Sequence, residues 1–309
     1  MSFQVIVLGC SGGPVDGSTS SLLIRSSSVA GDTKDCFLAI DAGCFVSAIQ
    51  DVLVSHPSHF ASSVRQQSPW HVVNHLVSGI YLTHPHLDHI AGFIMNSAGL
   101  SAANPKKLCG LAKSIDSVKA NVFNGVIWPN LTNEGTDAAN CVILVRLDPK
   151  LPLSNAAAGL DIIPLPISHG QSWSTAYIIT DQASSRTILV WGDVEPDAVS
   201  HNPLNYTVWH EIANRYDTLS GIIIECSYDS SYEGELYGHM TPPHLINELN
   251  TLARLVNHNL DHLPVVINHI KDHDTDIGNK ILSDLQTLAQ QQSLACRFII
   301  SRPSLSIHL

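Results

Sequence analysis

Apolar residues in this chain fall into short runs of about four to seven, each closed by glycine, proline, histidine or an acidic residue. Runs of that length between turn-formers predict strands. They are expected at Gln4–Leu8, Cys36–Asp41, Gly79–Thr83, Val142–Leu147, Asp161–Ile167, Ala176–Thr180, Ile188–Trp191, Gly221–Glu225, Pro264–Asn268 and Arg297–Ile300. Gly221–Glu225 (GIIIE) is the fully buried type. Helical patterning is expected over Gly43–Val54, from near Asp88 through IAGFIMNS, over Pro203–Asp217 and over Gly278–Gln292. A further helix follows Thr241-Pro242-Pro243, an N-cap with proline at the first helical position, and carries Leu245, Leu249, Leu252 and Val256 at helical spacing. Residues 55–78 have weak periodicity and are expected to be mostly loop, with at most a short helix. Strands and helices alternate along the whole length without linker, repeat or low-complexity tract. This predicts one α/β domain over residues 1–309 with two sheets.

Composition narrows the function. The 309 residues are 44% hydrophobic and 14% charged, enough apolar surface for a sizeable core. Asp and Glu number 27 against 16 Lys and Arg, a formal net charge of -11. That excludes tracking of a long nucleic acid, which needs a basic surface, but not binding of a small anion if metal ions supply local positive charge. Seven scattered cysteines without a C-x-x-C pair predict reduced thiols and a cytoplasmic protein. No apolar run approaches bilayer length, so no membrane partner is expected. The opening MSFQVIVLGCSGGP lacks a basic leader and is expected to form a first strand and a plain glycine turn, since no phosphate-cradling motif follows it.

The chemistry concentrates in YLTHPHLDHIAG, residues 81–92, where His84, His86, Asp88 and His89 form an H-x-H-x-D-H string. Even with 17 histidines in the chain, such a string arises by chance in only about a few chains per thousand. Burying four such groups without partners would cost on the order of a kcal/mol or more apiece, so a metal site is the better reading. Pro85 disfavours a helix through His84; in extended backbone His84 and His86 point to one side and can share a metal. A helix from Asp88 turns Asp88 and His89 toward a second metal. Each pair is incomplete, since a catalytic zinc wants at least three protein ligands. Three further ligand types follow apolar runs: His169 after LPIS, Asp193 after ILVWG and His269 after PVVIN. Asp193, with two oxygens, is the natural bridge.

The order H-x-H-x-D-H, His, Asp, His resembles the metallo-β-lactamase superfamily. Within it the chain is most similar to the class II cyclic-nucleotide phosphodiesterases. That resemblance rests on HPHLDHIAGFIMNSA (His84–Ala98), VFNGVIWPNLT (Val122–Thr132), WGDVEPD (Trp191–Asp197), IECS (Ile224–Ser227) and LYGHMTPPHLINEL (Leu236–Leu249). Phe93 departs from the smaller aliphatic residue expected there. The resemblance implies a four-layer αββα sandwich, two mixed sheets with helices outside. It implies a first metal held by His84, His86 and His169, a second by Asp88, His89 and His269, and Asp193 between them. Zinc is the default for such a ligand set, with manganese or iron compatible. His86 stands where oxygen-reducing diiron relatives carry glutamate, which argues for hydrolysis.

The expected reaction is attack of a metal-bridged hydroxide on a 3′,5′-cyclic nucleotide, cAMP and also cGMP, giving a nucleoside 5′-monophosphate. Asp88 is counted with the catalytic residues as well as the ligands. His239 resembles the proton-donor histidine of related tRNA 3′-processing enzymes, and Glu225 is expected to hold it protonated. Asp41 is expected to support the metal shell by hydrogen bonding. Trp128 and Phe123 are candidates for stacking on the base, and His244 and His273 have no required role. Relatives suggest a homodimer. An RNA-processing nuclease on the same scaffold is the rival reading, disfavoured by the acidic balance and the lack of a basic arm. A β-lactamase or thioester hydrolase, and a metal-free nucleotide sensor, are further rivals.

Overall fold

Strands in the middle of this chain are apolar at successive positions because both of their faces are covered. In the computed structural model, which describes residues 1–13, 15–271 and 276–309, they form two seven-stranded sheets. The first holds β1 (Phe3–Gly9), β2 (Ser21–Ser26), β3 (Phe37–Ile40), β4 (Val77–Tyr81), β5 (Lys106–Leu111) and β6 (Val142–Leu147). The second holds β7 (Leu153–Asn155), β8 (Leu160–His169), β9 (Ser172–Asp181), β10 (Thr187–Trp191), β11 (Leu219–Glu225), β12 (Pro264–Asn268) and β13 (Arg297–Ile300); β14 (Ser306–His308) returns to pair with β1. Both sheets are mixed. β3 to β6 and β10 to β13 pair in parallel, and the remaining neighbours pair antiparallel.

Alternation along single strands divides the core into three layers. Val5 and Val7 of β1, Ile223 of β11 and Val266 of β12 pack between the sheets with Tyr177 and Ile179. Their neighbours Ile6 and Leu8 face the helices Val46–Ser55 and Leu87–Ser97, while Ile222, Ile224, Val265 and Ile267 face Asn205–Ala213, Pro242–Val256 and Ile277–Gln291. That is helix, sheet, sheet, helix, with sheets buried on both sides. Among the described residues no helix is long and apolar enough to cross a membrane.

The strand expectations hold for ten elements, with ends shifted by up to a few residues. β2, β5, β7, β14 and the helix Ala112–Asn121 are additional. Residues 57–76 hold a 3₁₀ turn, one α-turn and a π-turn (Val72–Leu76). Of the histidines without an assigned role, His244 bonds Thr241 Oγ1 through Nδ1 at 2.8 Å, and His273 lies outside the described residues.

β8, β10, β11 and β12 run parallel to one another, as do β1, β3 and β4, so their carboxyl ends share one edge of each sheet. The chain leaves that edge through Asp41 and His269, both in left-handed backbone (φ 55° and 54°), a conformation that side chains adopt at a cost of about 1–2 kcal/mol.

Candidate active site

Every ligand candidate of the sequence arrives at that edge. His84, His86, Asp88 and His89 follow β4, with Leu87–Ser97 beginning inside the motif; His169 ends β8, Asp193 follows β10 and His269 follows β12. Asp193 Oδ2 is the centre of the cluster. It lies 3.1 Å from His269 Nε2, 3.3 Å from His89 Nε2, 3.7 Å from His84 Nε2 and 3.8 Å from His169 Nε2. Donor atoms of His84, His86 and His169 lie within 4.8 Å of one another, and those of Asp88, His89, Asp193 and His269 form a second such group. The two groups are the two triads expected, with Asp193 touching both.

The imidazoles are aimed by their other nitrogens. His89 Nδ1 meets Asp41 Oδ2 at 2.7 Å, His169 Nδ1 donates to Gly238 O at 2.8 Å, His84 Nδ1 meets Thr83 Oγ1 and His269 Nδ1 meets Ser227 Oγ, both at 3.1 Å. Asp41 is itself fixed by the Thr83 N–H and Oγ1, both at 2.8 Å. Pinning Nδ1 sets the tautomer and presents Nε2 as a lone pair to the centre. His84 Nε2 and His89 Nε2 are buried without a hydrogen-bond partner. Buried polar atoms are rarely left so, and a cation accepting those lone pairs resolves both. The residues therefore fit divalent metal ions.

Charge in the cluster is arranged accordingly. Burial, then neighbouring imidazoles, hold His84 well below the ordinary histidine range, and burial lowers His169 and His86 as well, so these rings are held neutral. Burial opposes the charge on Asp193, but His269 and His89 outweigh it and keep the carboxylate ionised. Burial likewise disfavours protonated His89, yet Asp193 and Asp41 raise it well above the usual range; a cation at Nε2 would take that proton's place.

The glycine turn after β1 does more than turn. Gly13 N–H donates to Asp88 Oδ2 at 2.9 Å, and a Cβ on Gly12 would stand 2.6 Å from His269 Cε1. The turn that the sequence predicts also lies directly against two candidate ligands, Asp88 and His269.

Beside the cluster, Glu225 at the end of β11 accepts from His239 Nδ1 at 2.9 Å, Val194 N at 2.8 Å, Ser227 Oγ at 2.7 Å and Met240 N at 3.3 Å. Its oxygens are thus occupied by protein donors, which leaves it an orienting group although it lies among Asp193, His239 and His269. Burial lowers His239, but the charge and hydrogen bond of Glu225 exceed that and raise it above the ordinary range. Serine and threonine supports such as Ser227 and Thr83 carry no signal in the sequence beyond standing next to the motifs.

The cluster floors a cleft of about 860 Å³, lined also by Val15, Leu87, Met95, Tyr237 and Lys271. Phe123 and Trp128 do not line it. Phe123 is 0% exposed, and Trp128 is packed against the helical core with its indole N–H donating to Ser97 Oγ at 3.1 Å. Their expected stacking on a base is corrected on that ground, because neither ring offers a face to the cleft.

Two mixed sheets back to back, with a His/Asp cluster at their shared edge, define the metallo-β-lactamase fold. A metallo-β-lactamase fold protein, YhfI from Bacillus subtilis, superposes with a TM-score of 0.64 over 99% of each chain at 16% identity. The chain belongs to the class-II cAMP phosphodiesterases, whose family model matches residues 8–303. It is 32% identical over 327 residues to a 3′,5′-cyclic-nucleotide phosphodiesterase of Schizosaccharomyces pombe, covering 97% of this chain and 91% of that protein. The crystal structure of unliganded yeast PDE1 superposes with a TM-score of 0.89 at 28% identity, covering 100% of this chain and 99% of that one.

Proposed function

We infer that this chain hydrolyses 3′,5′-cyclic nucleotides, cAMP and cGMP, to nucleoside 5′-monophosphates at a dinuclear metal centre. The observation that carries the reading is the convergence of histidine Nε2 atoms on Asp193 Oδ2 at the floor of an open cleft. His84, His86 and His169 would hold one cation, Asp88, His89 and His269 the other, with Asp193 shared; zinc suits these donors best. Such a pair of ions supplies an activated water and neutralises phosphate charge.

The need for cations follows from the cleft itself. Asp16, Asp88 and Asp193 line it against Lys271 alone among described lysines and arginines, so an anionic phosphodiester would be repelled without them. The chain's own residues then supply a proton. Hydrolysis adds water across the P–O3′ bond, and the departing 3′-oxygen is strongly basic. His239 lines the cleft, its Nδ1 is taken by Glu225, and Nε2 is left to donate. Gly13 N–H and Asp41 hold Asp88 and His89 in place while this happens. The seven cysteines, five of them buried and none in a C-x-x-C pair, suit the reducing cytoplasm.

The test is metal analysis of the purified protein together with turnover of 3′,5′-cAMP, 3′,5′-cGMP, a generic phosphodiester and a precursor tRNA. About two divalent ions per chain and strong preference for the cyclic nucleotides are expected. Cleavage of the tRNA with no cyclic-nucleotide turnover would overturn the assignment.

A further inference from the structure

The helix Leu87–Ser97 is apolar on two sides, and only one of them is used by the fold. Ile90, Phe93 and Ile94 are buried against the first sheet. Leu87 and Met95 point away from that core and are 68% and 67% exposed, with half-buried Ala91 between them. Spacing of four places Leu87, Ala91 and Met95 in one row along the helix, about 12 Å from end to end. All three line the cleft that holds the metal-ligand cluster. Tyr237, 65% exposed, lines it as well; its backbone is left-handed (φ 51°), two residues before His239. Thus three of the chain's largest exposed apolar side chains open onto one cleft, and a row of this kind marks a surface awaiting an apolar ligand.

We propose that the row Leu87–Ala91–Met95, faced by Tyr237, is the platform on which the purine ring of the nucleotide stacks, with the Asn96 amide donating to the base edge. The proposal rests on the cyclic-nucleotide reading of the site. The row starts between His86 and Asp88, where the phosphate is handled, and runs away from them, so a nucleotide whose phosphate sits at the ligands lays its base along the row. Asn96 lines the same cleft, and its Oδ1 accepts from Val46 N–H at 3.2 Å. That leaves Nδ2 as the group available to a ligand, a donor matched to ring nitrogens of either purine.

The experiment uses the metal-loaded protein and two ligands, 5′-AMP and ribose 5-phosphate, titrated by calorimetry, alongside cAMP kinetics. The wild type should bind 5′-AMP more tightly than ribose 5-phosphate. Tyr237→Ala combined with Met95→Ala should weaken 5′-AMP by about tenfold or more and leave ribose 5-phosphate unchanged, with a matching rise in KM for cAMP. Both side chains are exposed, so the unfolding temperature should not move. Asn96→Asp keeps the acceptor for Val46 and removes the donor; it should weaken 5′-AMP selectively. If the wild type hydrolyses cAMP while the double variant keeps its full preference for 5′-AMP, the platform is overturned and the function stands. If the wild type neither turns over cAMP nor prefers 5′-AMP, the functional reading fails and takes the platform with it.

Discussion

Glu225 receives four donors, and only one of them, His239, is titratable. Its carboxylate therefore acts chiefly on the proton affinity of His239, by charge and hydrogen bond, and more weakly by charge alone on His169. Because the folded His239 pKa is raised above the ordinary value, the ring stays protonated to higher pH than a free histidine, and donor activity is lost as pH rises through that folded pKa. Glu225→Gln keeps the shape and removes the charge. A hydrogen bond to a charged group contributes about 1.5–3 kcal/mol, so the alkaline limb of kcat/KM should move down by about one to two pH units. His239→Ala should retain both metals and lose on the order of 10²–10⁴ in turnover. A pH-rate profile with an unmoved alkaline limb in Glu225→Gln would remove the dyad from the mechanism. The candidate metal ligands were the legible part at this scale, because H-x-H-x-D-H is improbable by chance and the remaining three each close an apolar run. His239 and Glu225 were legible only through family resemblance. Thr83 and Ser227 were not legible at all: they are ordinary hydroxyls whose role comes from partners such as Asp41 and His269, 42 positions away in each case.

At the scale of elements, the metal motif is held by how closely the helix Leu87–Ser97 lies against the loop after β3. Phe93 N–H donates to Ala42 O and Gly92 N–H to Gly43 O, bonds from the helix to neighbouring backbone. A Cβ at Gly43 would stand 1.9 Å from the Asp88 carbonyl oxygen, so any larger residue must push the helix start outward and carry Asp88 and His89 with it. Gly43→Ala should cost about 1–3 kcal/mol in denaturant melts and weaken metal binding at the Asp88 group more than at the His84 group. Equal metal retention and an unchanged midpoint would contradict this packing account. The elements that escape pattern reading have physical reasons to do so. β5 opens with two lysines, yet Lys106 is 2% exposed because its Nζ donates to Asn74 O at 3.0 Å and Val77 O at 2.7 Å. The helix Ala112–Asn121 buries little beyond Ile115 and Val118 among polar residues. β14 is three residues long and gains its identity only by pairing with β1 across the whole chain. β1, β3, β10, β11 and β12 were legible because burial along nearly their whole length leaves little polar patterning to confuse them.

For the whole molecule, the candidate ligands divide between the two halves of the sandwich. His84, His86, Asp88 and His89 extend from the first sheet, and His169, Asp193 and His269 from the second. Cations bound there would join the sheets at their carboxyl edge, satisfying two imidazole nitrogens that are otherwise buried without a hydrogen-bond partner. Binding that exists only in the folded state adds RT ln(1 + [L]/Kd) to stability, about 4 kcal/mol at a thousandfold excess over Kd. In a chain of 309 residues each kcal/mol shifts the melting temperature by about 1.5 °C, so chelation should lower it by roughly 6 °C, and added zinc should restore it. The pH dependence has a definite sign. His84 and His169 have lowered pKa values and need shed no proton to ligate, whereas His89 is raised by Asp193 and Asp41 and must exchange its proton for the ion. Acidification therefore favours the proton, and the stabilisation by zinc should shrink as pH falls below neutrality, read as a narrowing gap between melts with metal and with chelator. A gap that widens in acid would contradict the exchange of proton for ion at His89, and a protein that melts at the same temperature in either state would mean that the edge of the sandwich is held by its hydrogen bonds alone.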